Sequence, residues 1–261
     1  MQNNLIFSNF CIALKKLGLK KNDIVFCHSN LGYFGKRKNI HNKNQLCNFY
    51  YKGILKVIGM NGTLIVPSFS NSFFEKKIFD KDKTPSKMGI FSEWVRNLKN
   101  SVRSNDPNYS VCAIGKQKYY FTDIADKSTF SYKSFFAKFH NKNGKILNFN
   151  FPGTTFIHYY ENILNVNYRY NKSFKGLIRN KKNKKIEKSN WKVFSRRPNN
   201  YKNEHDPMPL MKKIRKKKNL FQKFGKGEIF CIKSQELFSF IKKNYNIDKT
   251  FLTIEYNLKN D

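Results

Sequence analysis

Acidic residues are scarce in this chain. Its 261 residues include 17 Asp and Glu against 51 Lys and Arg, which gives a formal net charge of +34. Such a charge is typical of proteins that bind nucleic acid or an anionic membrane surface. Arginine is scarce too, with 8 residues against 43 lysines. Because Arg makes the bidentate contacts with phosphate, this shortage weakens the interpretation as a nucleic-acid-binding protein.

The lysine excess has a second explanation. Lys, Asn, Ile, Phe and Tyr are all encoded by A/T-rich codons, and the chain also has 34 Asn, 26 Phe and 14 Tyr. An A/T-rich genome would enrich this set without any selection for binding. We therefore interpret the basic runs at residues 15–21, 181–188 and 212–218 as solvated turns and helix faces. Part of the charge could still attract an anionic substrate.

Several other features are missing. The five cysteines contain no Cys-x-x-Cys pair, which argues against a zinc site or a disulfide framework and predicts reduced cysteines in a cytoplasmic protein. No apolar run approaches the length needed to cross a bilayer, and the N-terminus lacks the basic region of a signal peptide. Nucleotide-binding and serine-hydrolase motifs (Gly-x-x-x-x-Gly-Lys, Gly-x-Gly-x-x-Gly, Gly-x-Ser-x-Gly) are also missing.

Helical and strand patterns alternate in the first part of the chain. Residues 5–18 carry apolar side chains at helical spacing, and residues 23–28 and 63–67 are short apolar runs typical of buried strands. This alternation predicts a sheet covered by helices. Further predicted helices span 46–58, 90–98, 154–164 and 235–244, and further strands span 111–114, 145–149 and 228–233. Paired strands are predicted within 176–195, and residues 196–224 are polar and irregular before turning helical.

One of the five histidines stands out. His158 lies in the first turn of a predicted helix after Thr154 and Thr155, and Glu161 follows three residues later on the same helical face. A carboxylate beside an imidazole fixes its tautomer and stabilises the imidazolium, as a general base requires. His-x-x-Glu also occurs by chance, and a lone histidine is usually structural.

Two polar segments lie next to predicted strands. His28, Ser29 and Asn30 follow the first strand, where ligands bind in open α/β sheets and backbone N–H groups can hold phosphate. Residues 103–110 precede another strand and combine a cation, a carboxylate, a proline turn and hydroxyl groups. Simple loop polarity and an ordinary Asx or proline turn remain the alternatives.

Taken in order, these segments resemble the aminoglycoside 3-N-acetyltransferase family. Six collinear segments within residues 17–176 carry the resemblance, and their order and spacing are more specific than any one of them. They are residues 17–25 (LGLKKNDIV), 28–31 (HSNL) with Gly35, 62–70 (GTLIVPSFS), 84–89 (TPSKMG) with Glu93 and Arg96, 103–115, and 154–161 (TTFIHYYE).

The resemblance implies a three-layer α/β/α sandwich around a mixed sheet. It implies a single acyltransferase domain over residues 1–261, with the part from about 176 as a more irregular C-terminal extension. The implied reaction is direct acyl transfer from acetyl-CoA or another short acyl-CoA to an amine, without a metal. A homodimer stays open.

Site residues follow from the same resemblance. His158 falls on the family's catalytic histidine, with Glu161 or Asp106 to orient it. The segments that line the coenzyme A site imply His28, Ser29, Asn30, Thr84, Ser86, Lys87, Met88, Gly89 and Ser110 as coenzyme contacts. Contacts with the acceptor are expected from Glu93, Asp106, Tyr109 and Tyr160.

The acceptor is the open point of this interpretation. Many family members have His-Pro where this chain has Asp106-Pro107, which argues against an aminoglycoside as the acceptor. Residues 168–176 resemble the subset of the family that acylates amino sugars for surface polysaccharide. A nucleotide-linked amino sugar is therefore the expected acceptor. The alternatives are an antibiotic acetyltransferase, a degenerate paralogue that serves as a scaffold, and a non-enzymatic basic nucleic-acid-binding protein.

Overall fold

The computed structural model of the chain describes residues 2–36, 40–151, 153–180, 184–197, 203–205 and 208–255. Its helices are α1 Gln2–Lys16, α2 Lys43–Ile58, α3 Gly89–Arg96, α4 Lys118–Thr122, α5 Phe135–Asn141, α6 Phe156–Ile163, α7 Met208–Ile214 and α8 Ser234–Ile247. Its strands are β1 Ile24–Ser29, β2 Thr63–Pro67, β3 Phe79–Asp80, β4 Val102–Arg103, β5 Val111–Gly115, β6 Lys145–Phe149, β7 Arg169–Arg179, β8 Ile186–Arg196, β9 Asn203–His205, β10 Phe221–Phe224, β11 Gly227–Lys233 and β12 Thr253–Glu255.

A mixed sheet of seven strands forms the centre, in the order β10-β11-β6-β1-β2-β5-β4. The three middle strands β6, β1 and β2 are parallel, and the flanking strands β11 and β5 run antiparallel to them. The carboxyl ends of the three parallel strands therefore lie at the same end of the sheet, as do the segments that lead into β5 and β11. Most of the residues predicted to be functional lie at this end.

Helices cover both faces of this sheet. Along β1, Val25 and Cys27 pack into the apolar core beneath α1, α2 and α3, whereas Phe26 packs into the opposite core beneath α5, α6 and α8. Alternate burial of this kind follows from the two-residue period of a strand with both faces covered. The predicted three-layer α/β/α sandwich around a mixed sheet is confirmed.

Local chemistry explains several helix ends. Asn42 begins α2 by accepting a hydrogen bond from the backbone amide of Gln45, and Ser134 begins α5 by accepting one from Ala137. Gly59 ends α2 with a positive φ of 70°, a conformation that glycine adopts at little cost. The predicted helices at 5–18, 46–58, 90–98, 154–164 and 235–244 correspond to α1, α2, α3, α6 and α8.

A long hairpin stands beside the main sheet. Strands β7 and β8 pair over eleven residues each, with Arg169 opposite Arg196 at one end and Arg179 opposite Ile186 at the other. The hairpin is anchored by Trp191, whose side chain is buried and donates a hydrogen bond to Thr129. It begins at residue 169, earlier than the predicted 176, because its outward-facing positions are too polar for an apolar pattern to show.

The last third of the chain returns to the main sheet. Strand β11 pairs antiparallel with β6, and β10 continues the sheet beyond it. The division of the chain at about residue 176 stays a prediction. Of the basic run at residues 181–188, residues 181–183 lie outside the described residues. Within the part of the chain that the structure describes, no helix has the length and apolar character needed to cross a membrane.

Candidate active site

The candidate catalytic histidine lies at the end of the sheet where the parallel strands β6, β1 and β2 have their carboxyl ends. Thr154 Oγ1 accepts a hydrogen bond from the backbone amide of Phe156, and α6 then places His158 in its first turn. The His158 side chain is 22% exposed, whereas Glu161 on the same helix face is fully buried. His158 Nδ1 lies 2.9 Å from Glu161 Oε2. The predicted contact between these two side chains is present.

Two residues that the sequence did not single out complete this cluster. The hydroxyl of Tyr168 donates a hydrogen bond of 2.9 Å to Glu161 Oε1. Arg169 Nε lies 2.7 Å from Glu161 Oε2. This contact is an ion pair and not a hydrogen bond, because the N–H bond does not point at the oxygen. Arg169 Nη2 lies 2.9 Å from His158 Nδ1. The buried carboxylate is thus neutralised by a buried cation, as a charge in an apolar environment requires.

His158 opens onto a cleft of about 450 Å³ between the main sheet and the hairpin. Its walls are largely aromatic and basic, and the lining residues are Phe74, Tyr109, His158, Arg169, Phe174, Val193, Phe194, Ser195 and Arg196. A base that is partly exposed, next to a cleft of this size, has access to a substrate amine. The cleft is the candidate acceptor site.

Tyr109 and Asp106 occupy different positions around this cleft. Tyr109 lines it, as expected for a substrate contact. Asp106 is buried, and its Oδ1 accepts hydrogen bonds of 2.8 Å from the backbone amides of Asn108 and Tyr109 while its Oδ2 accepts one from Thr129. Burial raises the pKa of Asp106, although these hydrogen bonds oppose the rise. Asp106 does not contact the imidazole of His158. Its hydrogen bonds instead stabilise the turn that holds Tyr109.

Two predicted contacts are wrong because the side chains are buried in other interactions. Tyr160 is fully buried, and its hydroxyl donates a 2.7 Å hydrogen bond to the Ser234 carbonyl, so it cannot touch an acceptor. Ser110 is also fully buried, and its hydroxyl donates to the Ser68 carbonyl and accepts from Arg103. It cannot touch a coenzyme.

The segment at the carboxyl end of β1 lies in the middle of the same end of the sheet, because β1 is the central strand. His28 is buried and stacks on Phe151, with ring centroids 4.9 Å apart. Burial lowers its pKa to about 3, so His28 is neutral near pH 7. The Ser29 hydroxyl is buried without a hydrogen-bond partner in the described structure, and the Asn30 side chain is exposed. An unpartnered buried hydroxyl at a strand end fits a site that is completed by a ligand.

The segment 84–89 packs beside it. Gly89 begins α3 with a φ of +86°, and a Cβ at this position would lie 3.8 Å from the Ser29 carbonyl oxygen. The Lys87 amide donates to the carbonyl of Phe69, two residues beyond the end of β2, and the Ser86 hydroxyl accepts from the Met88 amide. The structure therefore brings the two predicted coenzyme segments, 28–30 and 84–89, together.

Glu93 supports this second segment and does not line the acceptor cleft. Its carboxylate accepts a 2.7 Å hydrogen bond from the Ser86 amide and pairs with Arg96. Partial burial alone would raise the pKa of Glu93, but the hydrogen bonds from Arg96, Ser86 and Asn97 outweigh it and lower the pKa to about 2. Glu93 therefore stabilises residues 84–89, the segment predicted to contact the coenzyme.

Arg103 ties the segment to the sheet. Its buried guanidinium donates to the backbone carbonyls of Thr84 and Ser68 and to the hydroxyl of Ser110. Burial lowers its pKa to about 10, which still leaves it charged at neutral pH. No pattern in the sequence distinguishes this arginine from a surface cation.

Replacement of Arg103 is expected to destabilise the fold. Arg103→Met removes the donors while leaving buried carbonyls without partners, at a cost of about 1–3 kcal/mol for each group left unsatisfied. We expect the free energy of unfolding, measured by urea denaturation, to fall by about 2–4 kcal/mol. The control is Arg215→Met, because Arg215 forms an exposed pair with Glu228. Equal effects of the two substitutions would contradict the role of Arg103 as an internal tie.

A second cavity of about 480 Å³ lies on the other side of the β1 segment. Its wall includes Arg215, Lys223 and Lys226, together with the half-exposed ring of Phe151 that stacks on His28. Cations beside an aromatic surface suit an anionic ligand with a planar ring system. The cavity extends the candidate coenzyme site beyond residues 28–30.

Comparison with known proteins decides the family. The family model described as aminoglycoside 3-N-acetyltransferase matches residues 26–246 of this chain.

The chain belongs to the aminoglycoside 3-N-acetyltransferase family.

Members of this family are acyltransferases that act on amines, and the chain is such an enzyme. A comparison with curated protein sequences gave no match. Solved structures of the family share the fold. The AAC-IIIb binary complex with CoASH is 14% identical, with 92% of this chain and 96% of that chain covered and a TM-score of 0.76. YokD from Bacillus subtilis is 20% identical, with 92% and 98% covered and a TM-score of 0.73. AAC-VIa bound to sisomicin is 17% identical, with 92% and 97% covered and a TM-score of 0.73.

The sequence did not predict Arg169 as a site residue, nor that the β7–β8 hairpin forms one wall of the cleft. Arg169 follows the acidic residue by eight positions and reaches it from β7, beyond a loop, so no helical spacing connects the two. Phe174 and Arg196 belong to strands whose inward positions alternate with polar outward ones. A signal was available in one respect: a buried carboxylate needs a cation, and Arg169 is the first arginine after Glu161.

Proposed function

We propose that this enzyme transfers an acetyl or other short acyl group from acyl-CoA to the amine of a nucleotide-linked amino sugar used for surface polysaccharide. The observation that carries the proposal is the pair of a partly exposed His158 and a buried Glu161 at the cleft, 2.9 Å apart. Such a pair can hold one imidazole nitrogen fixed while the other accepts a proton.

In this proposal His158 removes a proton from the ammonium group of the acceptor. An amine is mostly ammonium at neutral pH and cannot attack a thioester in that form. The imidazole takes one proton of the ammonium, and the amine nitrogen forms a bond with the acyl carbon. The carbon–sulfur bond then breaks, the nitrogen gives up its second proton to the sulfur, and coenzyme A leaves as its thiol. Transfer is direct, and the burial of all five cysteines supports this, since a buried thiol cannot reach the acyl group.

Coenzyme A is proposed to lie along residues 28–30 and 84–89. The unpartnered Ser29 hydroxyl and the neighbouring backbone at Gly89 fit the polar part of its pantetheine arm. The cavity with Lys223 and Lys226 fits the phosphates; Arg215 lines it too and is paired there with Glu228. The presence of CoASH in the AAC-IIIb complex supports coenzyme A as the co-substrate. Bound acyl-CoA supplies the thioester, and the protein holds it beside the base.

The charge of the acceptor cleft supports a nucleotide-linked acceptor. Its described lining residues include Arg169 and Arg196 and no carboxylate at the surface of the cleft. With a net charge of +34, the protein would repel an aminoglycoside that carries several positive charges. A diphosphate on the acceptor would instead be attracted. The resemblance of residues 168–176 to the polysaccharide subset points the same way.

The second candidate is resistance to aminoglycoside antibiotics. AAC-VIa, which shares the fold, binds sisomicin, and the family takes its description from this activity. The two candidates differ in the charge of the acceptor and therefore in the direction of its electrostatic steering.

A thiol-release assay with acetyl-CoA separates them. We expect kcat/KM for a nucleotide-linked amino sugar to exceed that for kanamycin or gentamicin by at least about tenfold at low salt, since electrostatic attraction raises encounter rates by about 10-fold or more. The advantage is expected to shrink as ionic strength rises, because exposed charges are screened over about 8 Å at 0.15 M salt. An amino sugar without its nucleotide is the matched control. Faster turnover of gentamicin would establish the resistance activity instead.

A further inference from the structure

Two side chains, Glu161 and Arg169, meet at one nitrogen of the proposed base. His158 Nδ1 has Glu161 Oε2 at 2.9 Å and Arg169 Nη2 at 2.9 Å, while Arg169 Nε lies 2.7 Å from the same Oε2. Arg169 is buried at 7% exposure, and its other terminal nitrogen donates to the Phe194 carbonyl. The guanidinium is therefore held in place and shares the carboxylate with the imidazole.

These contacts distinguish the charged imidazole from the neutral one. A guanidinium only donates hydrogen bonds and stays charged in proteins. A neutral imidazole fits in either tautomer, since Nδ1 can accept from Arg169 or donate to Glu161. The tautomer with its proton on Nδ1, donating to Glu161, is the one that leaves Nε2 free to take a proton from the acceptor. An imidazolium carries a proton on both nitrogens, so Nδ1 cannot accept from Arg169 and a positive ring faces a positive guanidinium. Its carboxylate partner is already paired with that same arginine.

We propose that Arg169 is a positioning residue that keeps His158 uncharged at neutral pH, ready to accept a proton from the acceptor amine. Glu161 alone would favour the imidazolium, since an opposite charge within about 4–6 Å stabilises the charged form. Arg169 cancels much of that attraction and adds a repulsion of its own. This inference rests on the proposed role of His158 as general base.

Other ionisable groups also face His158, and they are unchanged in the variants below. Tyr109 comes from the turn before β5 and Arg196 from β8, and both line the cleft. Tyr168 contacts the far oxygen of Glu161. Because these groups are common to every variant, differences between variants report on the Glu161–Arg169 pair.

The test combines pH profiles with nitrogen NMR of the full-length protein. In Arg169→Met, we expect the acid limb of the kcat/KM profile to move up by about one pH unit or more, because Glu161 is left to stabilise the imidazolium. The ¹⁵N signals of His158 should show the charged ring persisting to correspondingly higher pH. Arg169→Lys keeps a charge and should restore much of the parent profile. Glu161→Gln should move the limb to lower pH.

A double variant keeps the test decisive if Arg169→Met folds poorly. Glu161→Gln with Arg169→Met removes both charges, a change that buried ion pairs often tolerate. Its acid limb should lie at higher pH than that of Glu161→Gln alone, because the repulsion from Arg169 is gone. The proposal is overturned if Arg169→Met has the parent profile, or if the double variant has the profile of Glu161→Gln, by NMR and by rate. The NMR comparison needs no turnover. A shifted His158 signal in a protein that acylates no amine would therefore uphold the electrostatic role of Arg169 while contradicting the proposed reaction.

Discussion

His158→Ala is expected to lower kcat for acyl transfer by about 10²–10⁴-fold, the usual contribution of a positioned general base. The loss follows because the acceptor ammonium would then have no group at the cleft to take its proton. The measurement is thiol release from acetyl-CoA, with the unfolding midpoint recorded to show that the fold survives. The His158 side chain is partly exposed, so stability should change little.

The matched control is His41→Ala, because His41 lies on an exposed loop before α2. That variant should keep the parent rate. If a well-folded His158→Ala enzyme turns over at a rate close to the parent, the base lies elsewhere and the mechanism proposed above is wrong. A loss seen equally in both variants would point to a general effect of removing a histidine.

Glu161→Ala is expected to lower the free energy of unfolding by about 3–5 kcal/mol, the range for breaking a buried ion pair from one side. The substitution leaves the buried Arg169 without its counter-charge and removes the acceptor of the Tyr168 hydroxyl. Chemical denaturation at neutral pH measures the loss. Transfer activity should fall as well, since the imidazole of His158 loses the contact that orients it.

Glu75→Ala provides the comparison. Glu75 also pairs with cations, Lys77 and Lys87, but at the surface, where such pairs contribute little to stability. It should unfold close to the parent midpoint. If Glu161→Ala proved as stable as Glu75→Ala, the Glu161–Arg169 pair would not be the structural centre of the site.

The layers of the fold could be predicted from periodicity alone. Strands β1 and β2 and helices α1 and α2 follow apolar patterns that no competing signal disturbs. Helix α5 was missed because its apolar residues form a run, Phe135, Phe136 and Ala137, in which helical spacing is hidden. Strand β10 was missed because three of its four residues are partly buried or exposed. Its sequence therefore has no run or alternation of apolar residues that would indicate a strand.

The site was predictable where its partners lie on one element. His158 and Glu161 are three residues apart on α6, and their contact follows from helical geometry. The contacts expected from the family resemblance were wrong for Tyr160, which neighbours Glu161 in sequence but faces α8, and for Ser110, which faces Arg103. Burial at these positions depends on which elements pack together. That information lies in residues far along the chain.

Asp106 shows a different limit. A carboxylate beside a proline turn suggests chemistry, yet its oxygens are occupied by two backbone amides and the Thr129 hydroxyl. The identity of the residue carried information about the local turn. A single sequence offers no means of separating these two uses of an aspartate.

The β7–β8 hairpin has a consequence for how the enzyme can change over time. Its paired strands separate the site end, with Arg169 opposite Arg196, from the far end near residue 180 by roughly 30 Å, at about 3.3 Å per residue. The inner end is constrained by Trp191 and by the buried charges. The outer end is held as well, because Ile178 and Arg179 of β7 pair with Phe79 and Asp80 of β3, and Arg179 Nε lies 3.3 Å from Asp80 Oδ2. Nucleotide composition can therefore add lysines at the exposed positions between these two ends while both attachments of the arm stay unchanged.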